Sequence, residues 1–561
     1  MTQTVSVVID NVPIEVAFYD TNTREAQLKA IQAEESAETA VAAKDVALLA
    51  AIGLGPFADT TAGLAATTNG QYFYTVSPAN LYLNNAGTAV LQDELATLAR
   101  SLGVMAPTIV PDNATIKQAI ETLGENVESD DGAGFVGLKQ GGKVQHGIPY
   151  VTPMMKNAAG DGTWNDTAAA QDAIYEASAR GWEVVLPKGY SFSNTGLILP
   201  DNTIIKGEGR LINTANRLTL GNGCLVEGIK IGGNDKAGLS DGIRIHDVAD
   251  CVVRGVELDG IAYSGITLSN ANGVLIEGLT ARNIGDPDAP FWFATSSGMV
   301  VYAQNSSGVT IQRCPKAEQI YGSAAYFIGT GCTDFVITDS EVTDTFYRAF
   351  QVFGTGHRRI VISRNRGYRM GELNDSGSGI GCNGIYVASD STDPSNIDIE
   401  SNILENLAEN GIEVLCAARI RANKIKTTGY RALSTPSNEG MFIESGSIVE
   451  DNVITSAAFI GIRSYVDGYT ASSMVVRNNT VIAAVGDAIN FQANGSGSTY
   501  VNSRVSGNQL VSYGGAYAIA ISGTSGAAIG SSNAVNDNVA VNGAAVAIAA
   551  DVRKSGNSWQ W

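Results

Sequence analysis

Apolar and polar residues alternate in short runs along the C-terminal two-thirds of the chain, and many of these runs begin with glycine. Clear copies are GIRI from Gly242, GITL from Gly265, GIYV from Gly384, GIEV from Gly411 and GMFI from Gly440. The copies recur roughly every 20–35 residues, and each is followed by a second alternating run, such as CVVRGVEL from Cys251. A period of two predicts strands with one buried face. Strands too short for a sandwich predict an all-β fold, a right-handed single-stranded parallel β-helix of about 12 rungs.

Asparagine recurs at one position of this repeat, shortly after the second run. The members of the column are Asn365, Asn402, Asn423, Asn452, Asn479, Asn508 and Asn538. Stacked asparagines can hydrogen-bond to each other and to the backbone from one coil to the next. We therefore interpret the column as a structural ladder and not as a catalytic site.

The part of the chain before the repeat follows other patterns. Residues 1–20 alternate and predict a hairpin that turns at Asp10 and Asn11, and the Ala/Glu/Lys-rich residues 23–53 predict a helix. Further helices are expected around residues 91–103 and 114–128. The predicted domains are an N-terminal hairpin and helix (1–55), a small mixed α/β module (56–130), a Gly-rich linker (131–149) and the β-helix (150–561), with a capping helix near 165–180.

Composition and charge exclude several classes of function. The net charge is −20 and Lys and Arg do not cluster, which argues against nucleic-acid binding. No apolar run approaches 18 residues, so membrane insertion is not expected, and the N-terminal MTQTVSVVIDNV predicts no secretory signal. The six cysteines are scattered and no acidic cluster suits calcium, so we predict buried thiols, no metal and no cofactor.

Two segments carry a resemblance to a known family. The helix-forming NDTAAAQDAIYEASARG followed by EVVLPKG is similar to the start of pectate-lyase-like β-helix domains. The segments GLGPFADTTAGLAATTNGQYFYTV and LYLNNAGTAVLQDEL resemble the virion-proximal parts of bacteriophage tailspikes and tail fibres. The resemblance implies a homotrimer in the virion, assembled in the host cytoplasm. Its small α/β N-terminal region would attach to a phage tail or baseplate protein, and its β-helix would bind a host surface glycan.

The resemblance leaves the reaction open, because several functions share this fold. The leading hypothesis is a tailspike that hydrolyses the host polysaccharide as an endoglycosidase-type depolymerase. The alternatives are a tail adhesin that binds the glycan without cleaving it, and a polysaccharide lyase.

Candidate site residues follow from the register of the glycine-led strands. If glycine is position 0, positions 2, 4 and 6 point outward. The outward set in the middle of the coil mixes aromatic side chains, which suit sugar rings, with carboxylates. As substrate-binding residues we predict Tyr302, Phe327, Gln351, Phe353, Tyr386, Phe442, Arg463 and Tyr465, and also Trp292 in the loop at 285–297. That loop would form a lid over a sugar or pack against a neighbouring subunit. The same register places Val300 outward.

Glu413 and Glu444 form the predicted catalytic pair. They fall on neighbouring coils, two residues out of step along the strand, so their Cα atoms should lie roughly 8 Å apart. Carboxyl groups about 6.5–9.5 Å apart fit an inverting glycosidase. Asp390 and Asp467, one coil before and one coil after, are the alternative catalytic carboxylates. The structural alternative is that these outward carboxylates are simply solvated.

Overall fold

The computed structural model describes residues 3–9, 12–18, 57–75, 80–94, 149–233, 241–286, 298–373, 381–429, 438–512, 517–523, 528–529, 532–541, 547–548 and 552–560. The chain divides into two compact units, Met1–Ile148 and Pro149–Trp561. The helices predicted at 23–53 and 114–128 lie outside the described residues. No helix among the described residues is long and apolar enough to cross a membrane.

The first unit contains two antiparallel arrangements. The strands Gln3–Ile9 and Val12–Phe18 pair with Ile9 opposite Val12, which confirms the predicted hairpin. The helix Thr60–Ala66 precedes a sheet of three strands, Tyr72–Tyr74, Asn80–Asn85 and Thr88–Glu94.

The prediction of a helix starting at residue 91 is wrong for its first residues, because Thr88–Glu94 is a strand. The strand begins at a two-residue turn, where Ala86 and Gly87 have φ of 50° and 84° and Asn85 faces Thr88. Positive φ at both central residues gives a hairpin turn that matches the twist of the strands. This turn commits the segment to pairing with Asn80–Asn85.

The second unit is a parallel coil with three long sheets, which we name sheets 1, 2 and 3. Sheet 1 holds 14 described strands: Leu197–Leu199, Leu218–Leu220, Ile243–His246, Ile266–Ser269, Val301–Gln304, Ala324–Ile328, Arg348–Gly354, Ile385–Ser389, Ile412–Val414, Met441–Ile443, Ile462–Asp467, Ile489–Asn494, Ile519–Gly523 and Ala547–Ile548. Each pairs in parallel with the strand one coil away, as in Ile385 beside Ile412.

Sheets 2 and 3 hold 16 described strands each. Those of sheet 2 are Tyr150–Val151, Glu183–Leu186, Ile204–Gly207, Leu225–Glu227, Val252–Arg254, Leu275–Glu277, Ser307–Gln312, Thr333–Thr338, Arg358–Ser363, Ile397–Glu400, Arg419–Arg421, Ile448–Glu450, Val475–Arg477, Arg504–Ser506, Ala534–Asn536 and Arg553–Ser555. Those of sheet 3 are Asp161–Asn165, Ser191–Asn194, Arg210–Asn213, Lys230–Gly233, Glu257–Asp259, Thr280–Ile284, Lys316–Ile320, Glu341–Thr345, Arg366–Met370, Ile403–Leu407, Lys424–Thr428, Val453–Thr455, Thr480–Ala484, Gln509–Ser512, Val539–Val541 and Ser558–Gln560.

The predicted parallel β-helix is therefore confirmed, although its sheets contain more strands than the 12 expected rungs. The coil starts before Gly242, because Leu197–Leu199 and Leu218–Leu220 already belong to sheet 1. The second run of each repeat also proves to be two strands. In CVVRGVEL, Val252–Arg254 lies in sheet 2 and Glu257–Asp259 in sheet 3.

The corner between sheets 2 and 3 explains the asparagine column. Asp451, just before Asn452, has φ of 59°, and the residues before the other asparagines bend in the same left-handed way. From Asn365 to Asn538, each side-chain Nδ2 donates to Oδ1 of the asparagine one coil further on, at 2.9–3.2 Å; the last acceptor is Asn557. Asn365 through Asn538 are buried. The hydrogen bonds confirm the structural ladder.

Glycine begins the strands of sheet 1 because the coils approach closely there. A Cβ atom on Gly411 would lie 2.4 Å from the carbonyl oxygen of Gly440, and one on Gly440 would lie 2.5 Å from that of Gly461. Apolar side chains that follow the glycine, such as Ile412 and Val414, point into the core and are fully buried.

A helix covers the first coil. It runs over Thr167–Arg180, and Ala170, Ala173, Ile174 and Ala177 are buried against the apolar core. Asn165 Oδ1 accepts the Thr167 N–H at its start, and Gly181 ends it in a left-handed conformation.

A fourth, short sheet lies beside the later coils and consists of Thr470–Ser472, Thr499–Val501 and Ala528–Ile529. Short 3₁₀ helices span Pro153–Lys156 and Pro394–Asn396.

One part of the predicted register is wrong. Val300 was expected to point outward but is fully buried, because Ile266 pairs with Val301 and not with Met299. Val300 therefore occupies the place that Gly265 has in the preceding coil. Gly298 instead takes a φ of 75° in close contact with Gly322. Tyr302 still points outward, two residues after Val300.

Candidate functional site

One column of outward side chains runs along sheet 1 through the middle of the coil. The strand register aligns Tyr302, Phe327, Gln351, Tyr386, Glu413, Phe442 and Arg463 in successive coils. Glu444 lies two residues beyond Phe442, so it is offset from Glu413 by one coil and two residues, as the sequence predicted.

A pocket of about 340 Å³ lies on this face of sheet 1. Its lining residues are Glu409, Asn410, Glu413, Leu415, Phe442, Glu444, Tyr465, Asp467 and Tyr469, which we call the carboxylate pocket. Three of the four predicted catalytic carboxylates and two predicted substrate-binding aromatics thus meet in one place. Glu409, Asn410 and Tyr469 were not predicted.

Glu413 is positioned by two amide side chains. Asn383 Nδ2 donates to Glu413 Oε2 at 2.7 Å, and Asn410 Nδ2 donates to the same oxygen at 3.2 Å. The asparagines belong to a second ladder, in which the Asn410 N–H donates to Asn383 Oδ1 and the Glu439 N–H to Asn410 Oδ1. Each of these three residues immediately precedes a strand-initiating glycine. The carboxylate is therefore fixed by the backbone of its own coil and of the neighbouring coils.

Glu409 is a buried carboxyl group that lines the same pocket. Its side chain is 7% exposed, and its Oε2 accepts the N–H groups of Gly381 at 2.6 Å and Cys382 at 3.0 Å. Burial raises the pKa of Glu409 to about 7, and the nearby charge of Glu413 adds to the shift, against the lowering effect of the two N–H donors. Glu409 therefore gains or loses its proton near neutral pH.

Glu444 lies beside Tyr469, which also lines the pocket. Partial burial raises the pKa of Glu444, while a hydrogen bond from Tyr469 opposes the shift. The hydroxyl of Tyr469 also lies 3.2 Å from the Tyr465 carbonyl oxygen, which fixes the ring at the pocket edge. Tyr469 immediately precedes the first strand of the short fourth sheet.

Two arginines near the pocket are engaged with protein groups. Arg463 Nη1 donates to Glu439 Oε1 at 2.7 Å, and Glu439 is completely buried. Arg348 is also buried, stacks 4.1 Å from the centre of the Tyr386 ring, and donates from Nη1 to Gln351 Oε1 at 3.2 Å. Asp344, close to Arg348 in the sequence, forms an ion pair with Arg369.

The predicted aromatic residues form a stack that leads away from the pocket. The ring centres of Tyr302 and Phe327 are 5.4 Å apart, and those of Phe327 and Phe353 are 6.5 Å apart. Phe353 is 36% exposed, but Phe327 is only 7% exposed and Gln351 only 2%. The expectation that Phe327 and Gln351 offer open contact surface is therefore wrong, because neighbouring rings and Arg348 cover them.

Asp390 is the one predicted catalytic carboxylate that is not among the described residues lining the carboxylate pocket. The Asp390 carboxylate accepts the Gly356 N–H at 2.9 Å, so it caps a loop one coil before. Trp292 lies outside the described residues. Within the described part of the chain, no group of three or more His, Cys, Asp or Glu side chains is arranged to hold a metal ion, and all six cysteines are buried.

Comparisons with known proteins agree with this architecture. A family model described as "Right handed beta helix region" matches residues 374–540. The capsule K30/K69-specific depolymerase of Klebsiella phage K64-1 is 36% identical over 88 residues, which are 16% of this chain and 11% of that protein. The capsule KN3-specific depolymerase 1 of Klebsiella phage KN3-1 is 29% identical over 182 residues, which are 29% of this chain and 21% of that protein.

Among solved structures, the tailspike protein of E. coli bacteriophage HK620, as a double mutant, aligns with a TM-score of 0.42 and 14% identity, over 75% of this chain and 77% of that one. The chain spans about a fifth or less of the length of the two phage depolymerases it matches. The chain thus contains a right-handed parallel β-helix, and its local similarity to two phage depolymerases supports the resemblance to phage tailspikes.

Proposed function

We propose that this protein is a component of a phage tail that binds and hydrolyses a host cell-surface polysaccharide. The observation that carries the proposal is the carboxylate pocket, where Glu409, Glu413, Glu444 and Asp467 meet on the open face of sheet 1. The similarity to two capsule depolymerases supports a polysaccharide as the substrate.

In the proposed reaction Glu444 is the general acid and Glu413 the general base. Glu444 gives its proton to the glycosidic oxygen as the bond between that oxygen and the anomeric carbon breaks. A water molecule adds to the anomeric carbon and loses its proton to Glu413. Ideal strand spacing puts the Cα atoms about 8 Å apart, from one coil of about 4.8 Å and two residues of about 6.6 Å, and the proposed inversion requires the two carboxyl groups to lie about 6.5–9.5 Å apart around that water.

In the proposed reaction, the protonation state of Glu409 changes the charge next to Glu413. Protonated Glu409 adds no charge beside Glu413, and when Glu409 ionises near pH 7 a second negative charge appears there. The two amides from Asn383 and Asn410 keep Glu413 oriented in both states. Asp467, which lines the pocket, is the alternative base, and Asp390 is a weaker candidate because it caps a loop.

Substrate binding is assigned to the partly and fully exposed aromatic groups around the pocket. Phe442 and Tyr465 line it, Tyr386 lies one coil away, and Tyr302 and Phe353 extend the surface along the sheet. Aromatic faces pack well on the apolar faces of sugar rings. The proposal also includes Trp292 as a stacking residue. Trimer formation, attachment through the N-terminal unit and location in the virion belong to the same proposal.

The test is incubation of the purified protein with a panel of purified Klebsiella capsular polysaccharides, followed by measurement of new reducing ends. Wild-type protein is expected to release them, and Glu413→Gln and Glu444→Gln should each reduce the rate by about 10²–10⁴-fold. Glu405→Gln, on the sheet 3 face of the same coil, is the matched control and should keep the wild-type rate.

Other outcomes identify the alternatives. Binding without new reducing ends supports an adhesin, and a rise in ultraviolet absorbance from an unsaturated uronate supports a lyase. Full activity in both glutamine variants contradicts the proposed site.

A further inference from the structure

The carboxylate pocket has an uneven balance of charge. Among its nine described lining residues are the four carboxyl groups of Glu409, Glu413, Glu444 and Asp467, and none of the nine carries a positive charge. The remaining lining groups are one amide, two phenol rings, one phenyl ring and one leucine. An anionic group placed in this pocket would meet only neutral or negative neighbours among these residues.

Each of the two arginines near the pocket donates to one buried side chain, and the Nε of each has no hydrogen-bond partner among the described residues. Arg463 is bound to the buried carboxylate of Glu439 through Nη1, and its side chain is 21% exposed. Arg348 is 6% exposed beneath the Tyr386 ring and bonded to the buried Gln351. Moving either arginine toward a ligand would leave a buried carboxylate or amide unpaired, which is costly.

The hydrogen-bonding groups show the same imbalance. The ionised carboxylates of the pocket are acceptors only, protonated Glu409 and Glu444 add one O–H donor each, and the Asn410 amide already donates to Glu413. The Tyr469 hydroxyl is held against the Tyr465 carbonyl and Glu444. The pocket therefore offers many acceptors and few uncommitted donors, which matches a ligand rich in hydroxyl groups. A carboxylate, sulfate, phosphate or pyruvate ketal needs donors.

We propose that the sugar ring bound in the carboxylate pocket, whose anomeric carbon is attacked, is a neutral hexose without an acid group. This inference rests on the proposed hydrolysis and adds the class of sugar at the cleavage point. Acid-bearing sugars of the same polymer would lie outside the pocket, along sheet 1. The cleaved bond is then one whose anomeric carbon belongs to a neutral ring in an otherwise acidic chain.

The test determines which sugar carries each new reducing end. Wild-type protein is incubated with structurally defined capsular polysaccharides that contain both neutral and uronic sugars, and the released oligosaccharides are analysed by mass spectrometry and NMR. A neutral hexose at the new reducing end in every cleaved polymer is expected. A uronic or acid-substituted sugar at that position overturns the inference while leaving the proposed hydrolysis intact.

If no polymer is cleaved, the proposed hydrolysis is wrong, and the inference about the ring attacked in that reaction is wrong with it. Cleavage that leaves a uronic sugar at the new reducing end overturns the inference alone, so the two failures are distinguishable.

Discussion

Glu409→Gln is the perturbation whose effect follows most directly from the structure. The pKa of Glu409 rises from its ordinary value of 4.5 to about 7, chiefly because the side chain is buried and also because Glu413 is nearby. Ionising this carboxyl group therefore costs about 3 kcal/mol more in the folded protein than in the unfolded chain. The free energy of unfolding falls by that amount once Glu409 is ionised. Glutamine resembles the protonated acid, since its carbonyl oxygen can accept the same two N–H groups of Gly381 and Cys382.

The sign of the pH dependence follows from the raised pKa. Below pH 4.5 the carboxyl group is protonated in both folded and unfolded chains, so wild type and variant should have similar free energies of unfolding. Between pH 4.5 and pH 7 the unfolded chain releases the proton first, and wild type loses stability. Above pH 7 the Glu409→Gln variant should be more stable than wild type by about 3 kcal/mol.

Urea unfolding of the full chain at several pH values between 4.5 and 8.5 measures this gap. Glu405→Gln, which removes a partly exposed carboxyl group from sheet 3, serves as the control and should show no such trend. A difference in the free energy of unfolding between wild type and Glu409→Gln that does not change with pH would contradict a raised pKa at Glu409. Activity gives a second check, because the variant should stay active above pH 7. Loss of activity at every pH would make Glu409 itself the catalytic acid.

Three further variants test other parts of the structure. Asn452→Ala removes side-chain hydrogen bonds to Asn479 and to two buried carbonyl groups, so urea unfolding should show a loss of about 2–4 kcal/mol. Gly411→Ala places a Cβ 2.4 Å from the next coil, and a lowered melting temperature is expected; an unchanged one contradicts the close approach. Tyr469→Phe, made in the Glu409→Gln background, removes a hydrogen bond that lowers the pKa of Glu444, so the alkaline limb of the pH–rate profile should move to higher pH. If the alkaline limb does not move, Tyr469 does not lower the pKa of Glu444.

The regular part of the fold could be predicted from the sequence because one spacing controls it. Glycine at the strand start, alternation along the strand and asparagine at the corner each recur once per coil, so the repeat sets the strand register. The predicted register is wrong at Val300, because Gly298 lies in close contact with Gly322 and does not start the strand. The corner between sheets 2 and 3 was missed because a single left-handed residue, such as Asp451, makes it.

The candidate site could be predicted only where its residues lie on strands. Glu413 and Glu444 follow from the register, but Glu409, Asn383 and Asn410 lie just before strands, where alternation carries no information. Their common position immediately or shortly before a glycine was the available signal. Burial of Phe327 and Gln351 depends on side chains from other coils, which a repeat pattern does not specify.

The central claim is that Glu413 and Glu444 act together on a glycosidic bond in the carboxylate pocket. A crystal structure of the Glu413→Gln variant with an oligosaccharide from a cleaved capsular polysaccharide tests it most directly. A sugar ring is expected in the pocket, with its glycosidic oxygen within hydrogen-bond distance of Glu444. An oligosaccharide bound on another face of the coil, with the pocket empty, would contradict it.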